Sequence, residues 1–422
     1  MAMKIFKFGG ASIKNADNIR NVVHILQSQA DASLLLVVSA LGKTTNHLEE
    51  LLKAFVENRP EKQALFENIR QEHWRILRDL IPTDTEKHAV EVLRQFSLLE
   101  AYLQREPSEH FDFEYDQIVS FGEILSTKIL SAFLQYSGIA HEWMDARRLV
   151  CTDNHYREGV VDWKKTERKI LHHLQSHYPE GVDRLLLTQG FIAGTPEKFA
   201  VTLGREGSDY SAAIFAYALQ AESVTIWKDV EGLLNADPKV FPHPVRLPEI
   251  PYREAIELAY YGASVIHPKT IKPLQNRNIP LYVKSFLHPE KEGSLIHAMD
   301  RFVAVPCFIW KSRQVLISIF SKDFSFIAEE NLSTIFALFA FFGVKINLMQ
   351  NSAISFSVCV DDKESIPQLI EELQTEFAVR YNENVELLSI RHYEDDSAAP
   401  FIEGRRVMLE QRSRSMLQMV LK

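Results

Sequence analysis

The chain has 422 residues, with 47 lysines and arginines against 56 aspartates and glutamates, for a formal charge of −9. That length allows two or three domains with proper cores, and the acidic balance argues against a general nucleic-acid binder, which presents a basic face. Cys151, Cys307 and Cys359 lie far apart and form no CxxC pair, which argues against a disulfide framework or structural zinc and for a reducing compartment.

The opening MAMKIFKFGG has no long apolar stretch, so no secretory leader is expected. The longest run without a charged residue, 346–360, contains Asn347, Gln350, Asn351 and several serines. It is shorter than the roughly 20 apolar residues of a membrane span. A soluble, cytoplasmic protein without membrane or nucleic-acid partners is expected.

Residues 4–8 read as a short strand, Gly9-Gly10 as a turn, and 15–29 as a helix with Ile19, Val22, Val23 and Leu26 on one stripe. Residues 34–38 are continuously apolar, the pattern of a strand covered on both faces of a parallel sheet. The tract 53–104 reads as two or more helices with a turn near Pro82, either a cap over a site or a packed flank. Further strands are expected at 140–143, 184–188, 223–227 and 280–284, and helices at 124–135, 208–219, 252–261 and 267–275. Strands joined by helices place 1–296 in the α/β class.

The texture changes over 293–301. A strand at 315–320, a helix at 329–342, strands at 345–349 and 354–360, a helix at 365–377 and a strand at 385–391 make a β-α-β-β-α-β series, that of a ferredoxin-like module. Segments 406–411 and 415–421 read as a terminal hairpin around Arg412-Ser413-Arg414, too short to repeat the module in full. The expected divisions are 1–296, 305–380 and 381–422.

Several stretches carry groups suited to chemistry. In 7–12, KFGGAS, two glycines follow a strand and allow an anion to approach backbone N–H groups, with Lys7 as a point charge; a plain turn is the alternative. In 202–210, TLGREGSDY, Ser208 is placed to cap a helix and Arg205 offers an anion clamp. Asp209 either completes that clamp or simply complements the helix dipole. The segment 227–239 ends a strand in a polar loop holding Lys228, Asp229 and Lys239, where ligands of open α/β sheets sit; a surface turn at Asp237-Pro238 is the alternative. Glu123, in SFGE at 120–123, either fixes a cation or favours a helix start, and Arg147 is a similar case. No Walker A, HExxH, GxSxG or early GxGxxG pattern is present, and no metal site is expected.

Taken together, these stretches resemble the aspartate kinases of the amino-acid kinase superfamily, which carry C-terminal ACT domains. KFGGAS resembles the family's KFGGTS. VVSALGKTTN at 37–46, SFGE at 120–123, TQGF at 188–191, LGREGSDY at 203–210, the segment 226–239 and YGASVIHPKT at 261–270 follow in family order. The resemblance spans nearly all of 4–296 and extends more weakly into the tail. It implies an amino-acid kinase fold, an open and mostly parallel sheet between helices, followed by ferredoxin-like ACT domains of which the second is shortened.

The implied activity is ATP-dependent phosphorylation of the side-chain carboxylate of L-aspartate to 4-phospho-L-aspartate, the first step toward lysine, threonine and methionine. Mg²⁺ on the phosphates, a homodimer through the ACT sheets and an amino-acid effector are implied with it. Lys7 would contact the transferring phosphoryl group, and Gly9, Gly10 and Ser39 would line the phosphate channel beside the substrate. Thr45 and Glu123 would hold the amino-acid end of aspartate, Arg205 a substrate carboxylate, and Asp209 would organise Lys7. Lys228, Asp229, Leu234 and Lys239 match nucleotide-contacting positions.

The sequence departs from the family pattern at four places. Ala11 replaces a threonine, whose hydroxyl Ser12 or water could supply. Glu206 replaces a glycine, Lys228 replaces a small hydroxyl residue and could offset Glu206, and Ser264 replaces an ATP-contacting lysine, for which Lys269 is the candidate substitute. In the tail, Asn347 stands where lysine-inhibited members carry an aspartate that accepts the effector's amine. The competing readings are a kinase for another small carboxylate or carbamate, and a non-catalytic amino-acid-sensing paralogue. The presence of Lys7, Glu123, Arg205 and Asp209 weighs against the paralogue. A fused homoserine dehydrogenase is not expected at this length.

Overall fold

The computed structural model describes residues 3–28, 33–177, 184–263, 266–300, 304–323 and 325–422. The strands are β1 (Met3–Phe8), β2 (Ser33–Val38), β3 (Glu142–Met144), β4 (Leu185–Gln189), β5 (Ile192–Gly194), β6 (Ala200–Thr202), β7 (Ser223–Lys228), β8 (Leu233–Leu234) and β9 (Arg246–Leu247). They continue as β10 (Glu249–Pro251), β11 (Leu281–Ser285), β12 (Ser294–His297), β13 (Cys307–Ser321), β14 (Ile346–Asn351), β15 (Ser355–Asp361), β16 (Phe377–Arg391), β17 (Val407–Arg412) and β18 (Met416–Leu421). The helices are α1 (Ala16–Gln27), α2 (Thr44–Val56), α3 (Lys62–Leu80), α4 (Thr85–Leu103), α5 (Phe111–Val119), α6 (Phe121–Tyr136) and α7 (Ala146–Leu149). After them come α8 (Trp163–His177), α9 (Gly207–Leu219), α10 (Tyr252–Tyr261), α11 (Pro268–Asn276), α12 (Glu329–Phe341), α13 (Ile366–Glu376) and α14 (Ala399–Ile402). Contacts divide the chain into two units. One is Met1–Leu233 with Arg246–Ile256 and Val265–Asp300; the other is Leu234–Val245 with Glu257–Ser264 and Arg301–Lys422.

The first unit is built on an eight-stranded sheet in the order β10-β12-β11-β7-β1-β2-β4-β3. From β11 through β7, β1, β2 and β4 to β3 every neighbouring pair is parallel, and only β11–β12 is antiparallel. All six residues of β2 are buried, which is why its sequence is continuously apolar rather than alternating. In register, Phe8 lies beside Val38 and Trp227, and Val38 beside Gln189. The chain therefore leaves β1, β2, β4 and β7 at one edge of the sheet, the edge at which α/β folds place their ligands.

The tract 53–104 resolves into the end of α2 followed by α3 and α4, with Asp84 in the left-handed region (φ 57°) at the turn. Phe66, Ile69, Ile76, Leu77, Val92, Phe96 and Leu99 join Phe8, Leu36 and Val38 in one core cluster, so these helices are a packed flank and not a cap. Helices α5 and α6 run together over Phe111–Tyr136. Among the described residues this stretch alone is long and apolar enough to cross a membrane, and 83% of its most apolar window is buried inside the protein, as for a core helix.

In the second unit six strands form one antiparallel sheet, β14-β15-β13-β16-β18-β17. β13, α12, β14, β15, α13 and β16 give the β-α-β-β-α-β series with ferredoxin-like strand order, around a core of Ile317, Ile335, Phe339, Val358 and Leu369. Both β13 and β16 are 15 residues long. Their register shifts between Lys311 and Gln314, and beyond that point they continue into a second half with β18 and β17. A division between 380 and 381 thus falls inside β16, and 307–311 lies in the second half despite preceding the first. Phe241, from the short segment ahead of α10, packs its ring against Phe308 and Phe401 of this unit, at centroid distances of 5.5 and 5.3 Å.

Candidate active site

Two loops meet at the sheet edge. Gly10 follows β1, and Gly42 lies in the loop after β2. The Ser39 N–H donates to the Phe8 carbonyl (3.1 Å) and the Gly42 N–H to the Gly10 carbonyl (3.2 Å). A Cβ on Gly10 would lie 2.9 Å from the Ala40 carbonyl oxygen and 3.0 Å from that of Gly42, so no other residue fits. Lys7, near the end of β1, and Asp209, in the first turn of α9, face each other beside this floor. Lys7 Nζ is 2.6 Å from Asp209 Oδ1, and Lys228 Nζ is 3.6 Å from Oδ2. Burial drives the Asp209 carboxyl upward, but the two ammonium charges outweigh it and hold the group below its ordinary value.

Glu123 enters from the first turn of α6. Its Oε1 accepts the Ala40 N–H at 3.3 Å, while its buried Oε2 has no hydrogen-bond partner. Burial pushes this carboxyl up to about 8, against the smaller pull of backbone N–H groups and the Lys7 charge. An acceptor held dry without a donor is costly unless a ligand supplies one. Arg205 stands exposed in the loop before α9, with no ion-pair partner among the described residues.

Lys7, Gly10, Ser39, Thr45, Glu123, Arg205, Asp209 and Lys228 line a single cleft of about 750 Å³. Gly9 adjoins it, since a Cβ there would lie 3.3 Å from Lys7 Nζ. Asp229, Leu234, Lys239 and Lys269 are not among the lining residues. Leu234 and Lys239 fall in the segment that packs with the second unit. Lys269 Nζ instead lies 6.0 Å from the centre of the Tyr210 ring, next in sequence to Asp209. Ser264 lies outside the described residues.

Two compensations expected from the sequence take another form. Ser12 does not stand in for a hydroxyl at Ala11: it is 1% exposed and donates to the Trp227 carbonyl at 3.4 Å, away from the cleft. Lys228 is drawn to Asp209, whereas Glu206 accepts the His267 N–H at 3.0 Å, at the start of α11. The negative charge of Glu206 thus meets the positive end of a helix. Arg147 is spent on Asp145 through two hydrogen bonds, of 3.0 and 2.8 Å, and does not line the cleft.

The sequence reading missed the wall made by α5 and the 155–158 loop. Asp116 accepts the Arg157 N–H (2.8 Å) and the Thr202 hydroxyl (2.7 Å), and burial pushes its carboxyl up to about 6. The Arg157 guanidinium lies 4.4 Å from the centre of the Tyr115 ring and pairs with Asp112 at 3.1 Å. Asp112, Tyr115, Arg157 and Thr202 all line the cleft. No glycine turn marks this wall. The one local signal, an acidic-aromatic pattern in FDFEYD, also suits a surface helix.

In the tail, Asn347 is already fully engaged. Its Oδ1 accepts the Lys311 ammonium at 2.9 Å, and its Nδ2 donates to Gln314 Oε1 (2.9 Å) and Asp361 Oδ1 (3.0 Å). The ammonium on Asn347 is the chain's own.

Residues 2–285 match the amino acid kinase family. The chain is 30% identical over 399 residues to an aspartokinase of Chlamydia pneumoniae, covering 92% of this chain and 86% of that one. It is 31% identical over 299 residues to the chloroplastic bifunctional aspartokinase/homoserine dehydrogenase 2 of Arabidopsis thaliana, covering 69% of this chain. The chain spans about a third (32%) of that relative and of the other curated relatives that head the comparison. In structure it is similar to E. coli aspartokinase III, solved with lysine and aspartate (25% identity) and with aspartate and ADP (26%). The TM-score is 0.82 in both cases, with 99% of this chain and 95% and 96% of those chains covered.

Proposed function

The chain belongs to the amino acid kinase family, among the aspartokinases, and from that premise we propose that it transfers the γ-phosphoryl group of ATP to the side-chain carboxylate of L-aspartate. The observation that carries this reading is the pairing, in one cleft, of a buried acceptor without a donor, Glu123 Oε2, with an arginine that has no carboxylate partner among the described residues, Arg205. An amino acid supplies both missing partners, its ammonium to Glu123 and a carboxylate to Arg205. The similarity to a protein solved with aspartate and ADP supports the same assignment.

The nucleophile is already anionic, so no strong base is required. What the reaction needs is charge screening and in-line positioning. Lys7 screens the γ-phosphoryl oxygens, and the backbone N–H groups around Gly10 follow the phosphates. Asp209 acts through Lys7 and Lys228, holding both ammonium groups at the reacting edge.

Mg²⁺ enters as part of the MgATP substrate. Among the described residues no group of three or more His, Cys, Asp or Glu is arranged to hold a metal, and Asp209, at the reacting edge of the cleft, is taken up by Lys7 and Lys228. We further propose a cytoplasmic setting, supported by three free and buried cysteines, and a place in lysine, threonine and methionine biosynthesis. A homodimer through ACT-like sheets, with 305–422 as the regulatory part, completes the proposal. An amino-acid effector belongs to it too, but Asn347 is not where lysine would be held, because Lys311 already supplies its ammonium.

The test is ADP release measured with ATP and L-aspartate. Turnover that depends on aspartate and disappears in Asp209→Ala supports the reading. Turnover independent of aspartate, or preference for another carboxylate or carbamate, would transfer it to a different acceptor. No turnover would leave an amino-acid sensor.

A further inference from the structure

A second cavity lies in the first unit, at the tip of the β5–β6 hairpin, apart from the cleft. Phe191 and Thr202, at one end of that hairpin, line the cleft, whereas Thr195 and Lys198, at its tip, line this cavity. Its volume is about 560 Å³, and its charged lining is Arg147, Arg148, Lys165, Lys169, Lys198 and Asp145. In a chain of charge −9, one hollow therefore collects five cations and a single carboxylate.

That carboxylate is already used. Asp145 binds the Arg147 guanidinium at two points and also accepts the Arg147 N–H to cap α7. Among the described residues, Arg148, Lys165, Lys169 and Lys198 have no carboxylate within ion-pairing distance. Glu197, on the hairpin tip, feels the Lys165 charge but is bonded to the side chains of Asn154 and Thr195.

The backbone arrangement concentrates the charge. Lys165 sits in the first turn of α8, where its N–H donates to the Asp162 carboxylate at 3.0 Å, so one further carboxylate meets the positive end of the helix while the Lys165 ammonium stays without an ion pair among the described residues. Lys169 is one turn on, the spacing at which like charges repel. Its ammonium donates to the Arg148 carbonyl at 3.1 Å, which ties α8 to α7. The opposite wall is rigid: a Cβ on Gly194 would lie 2.0 Å from the Arg147 carbonyl oxygen, so β5 is pressed directly on α7. Cations crowded at a concave, fixed surface and outnumbering its carboxylates are what a multiply charged anion neutralises.

We propose that this cavity is a binding site for a small, multiply charged anion of the phosphate class, free or carried on a phosphorylated metabolite. The test is calorimetric titration of the full chain with inorganic pyrophosphate and, in parallel, with glucose 6-phosphate. Three proteins are compared: wild type, the cleft variant Lys7→Met, and the cavity variant Arg148→Ala/Lys165→Ala/Lys198→Ala. A saturable site with Kd near or below about 1 mM, kept in Lys7→Met and weakened about tenfold or more in the cavity variant, is the expected result. Tighter binding of the sugar phosphate points to a metabolite, and tighter binding of pyrophosphate to the free anion.

Thermal unfolding separates this from a structural role. Without ligand, the cavity variant should melt no lower than wild type, because repulsion has been removed, and pyrophosphate should raise the Tm of wild type and of Lys7→Met but not of the cavity variant. Binding that vanishes in Lys7→Met and survives in the cavity variant assigns the anion to the cleft and overturns the proposal. So does a wild-type response reproduced by sodium chloride at equal ionic strength, or a cavity variant that is less stable and binds as before.

Discussion

Two clusters in this molecule are made of the same parts. At the sheet edge of the first unit, Lys7 and Lys228 hold Asp209, with Glu123 nearby. In the second unit, Lys311 and Asn347 meet Asp361 and Gln314. The difference is closure. In the second, each polar group has its partner: Gln314 Nε2 bonds Asp361 Oδ1 at 2.9 Å, and Asn347 spends both ends of its amide. Burial works upward on Asp361, but Gln314, Lys311 and Asn347 hold its carboxyl below the usual value. In the first, Glu123 keeps a dry oxygen with no donor, and its carboxyl is pushed up to about 8. A polar network that is complete fixes structure; one left open at a cleft awaits a ligand.

Breaking the open cluster should have the largest effect. Lys7→Met removes the charge nearest the transferring group and should lower kcat by about 10³-fold, with far-ultraviolet circular dichroism unchanged. A variant retaining a tenth of wild-type kcat would mean that Lys7 is not at the phosphoryl group.

Glu123→Gln tests the unpartnered oxygen. The amide keeps the acceptor facing Ala40 and loses the charge, so KM for aspartate should rise by about 10- to 100-fold, with a smaller change in kcat and in KM for ATP. Steady-state kinetics with each substrate varied separates these, and an equal rise in both KM values would count against the assignment.

The raised carboxyl also makes binding depend on protons. With the cleft empty, Glu123 holds its proton up to about pH 8, and an ammonium beside it favours the ionised form. Aspartate binding near neutral pH should therefore release up to about one proton, read as a dependence of calorimetric heat on buffer ionisation enthalpy and absent in Glu123→Gln. For stability the sign is negative. The folded state holds the proton more tightly than the unfolded one, so the ligand-free protein loses stability between the ordinary value of 4.5 and about 8 as pH rises. Glu123→Gln should flatten that slope in thermal melts.

The closed cluster should respond least. Lys311→Met costs about 1 kcal/mol of stability by thermal unfolding and leaves kcat unchanged. Wild-type activity should be indifferent to millimolar L-lysine at Asn347. Strong lysine inhibition relieved by a change at Asn347 would show that this network opens.

Much of the fold was legible because its signals are local. The apolar run of β2, the stripe on α1 and the glycine turn after β1 each follow from a few adjacent residues. Helix α8, rich in charge around a thin stripe that buries Thr166 and Ile170, was legible only as a polar helix at His172-His173, without bounds, and α5 was not anticipated. The site was legible where spacing and resemblance coincide, as at Lys7, Glu123, Arg205 and Asp209. Arg157 and Tyr115 were not, because an arginine in a loop and a tyrosine on a helix acquire meaning only when Asp116 and Thr202 draw their segments together.

The groups that could carry the chemistry, the α/β body and the ferredoxin-like tail are all readable along the chain, since side-chain identity and periodicity are properties of neighbours in it. Which of those groups remain unsatisfied depends on how the chain packs. Parallel pairing of β1, β2, β4 and β7 brings loops separated by up to about two hundred residues to one edge. Whether Lys228 meets Glu206 or Asp209, whether Ser12 faces the cleft or the core, and whether Asn347 awaits an ammonium or already holds one, are all questions of desolvation and distance. Those quantities do not exist until the chain has packed.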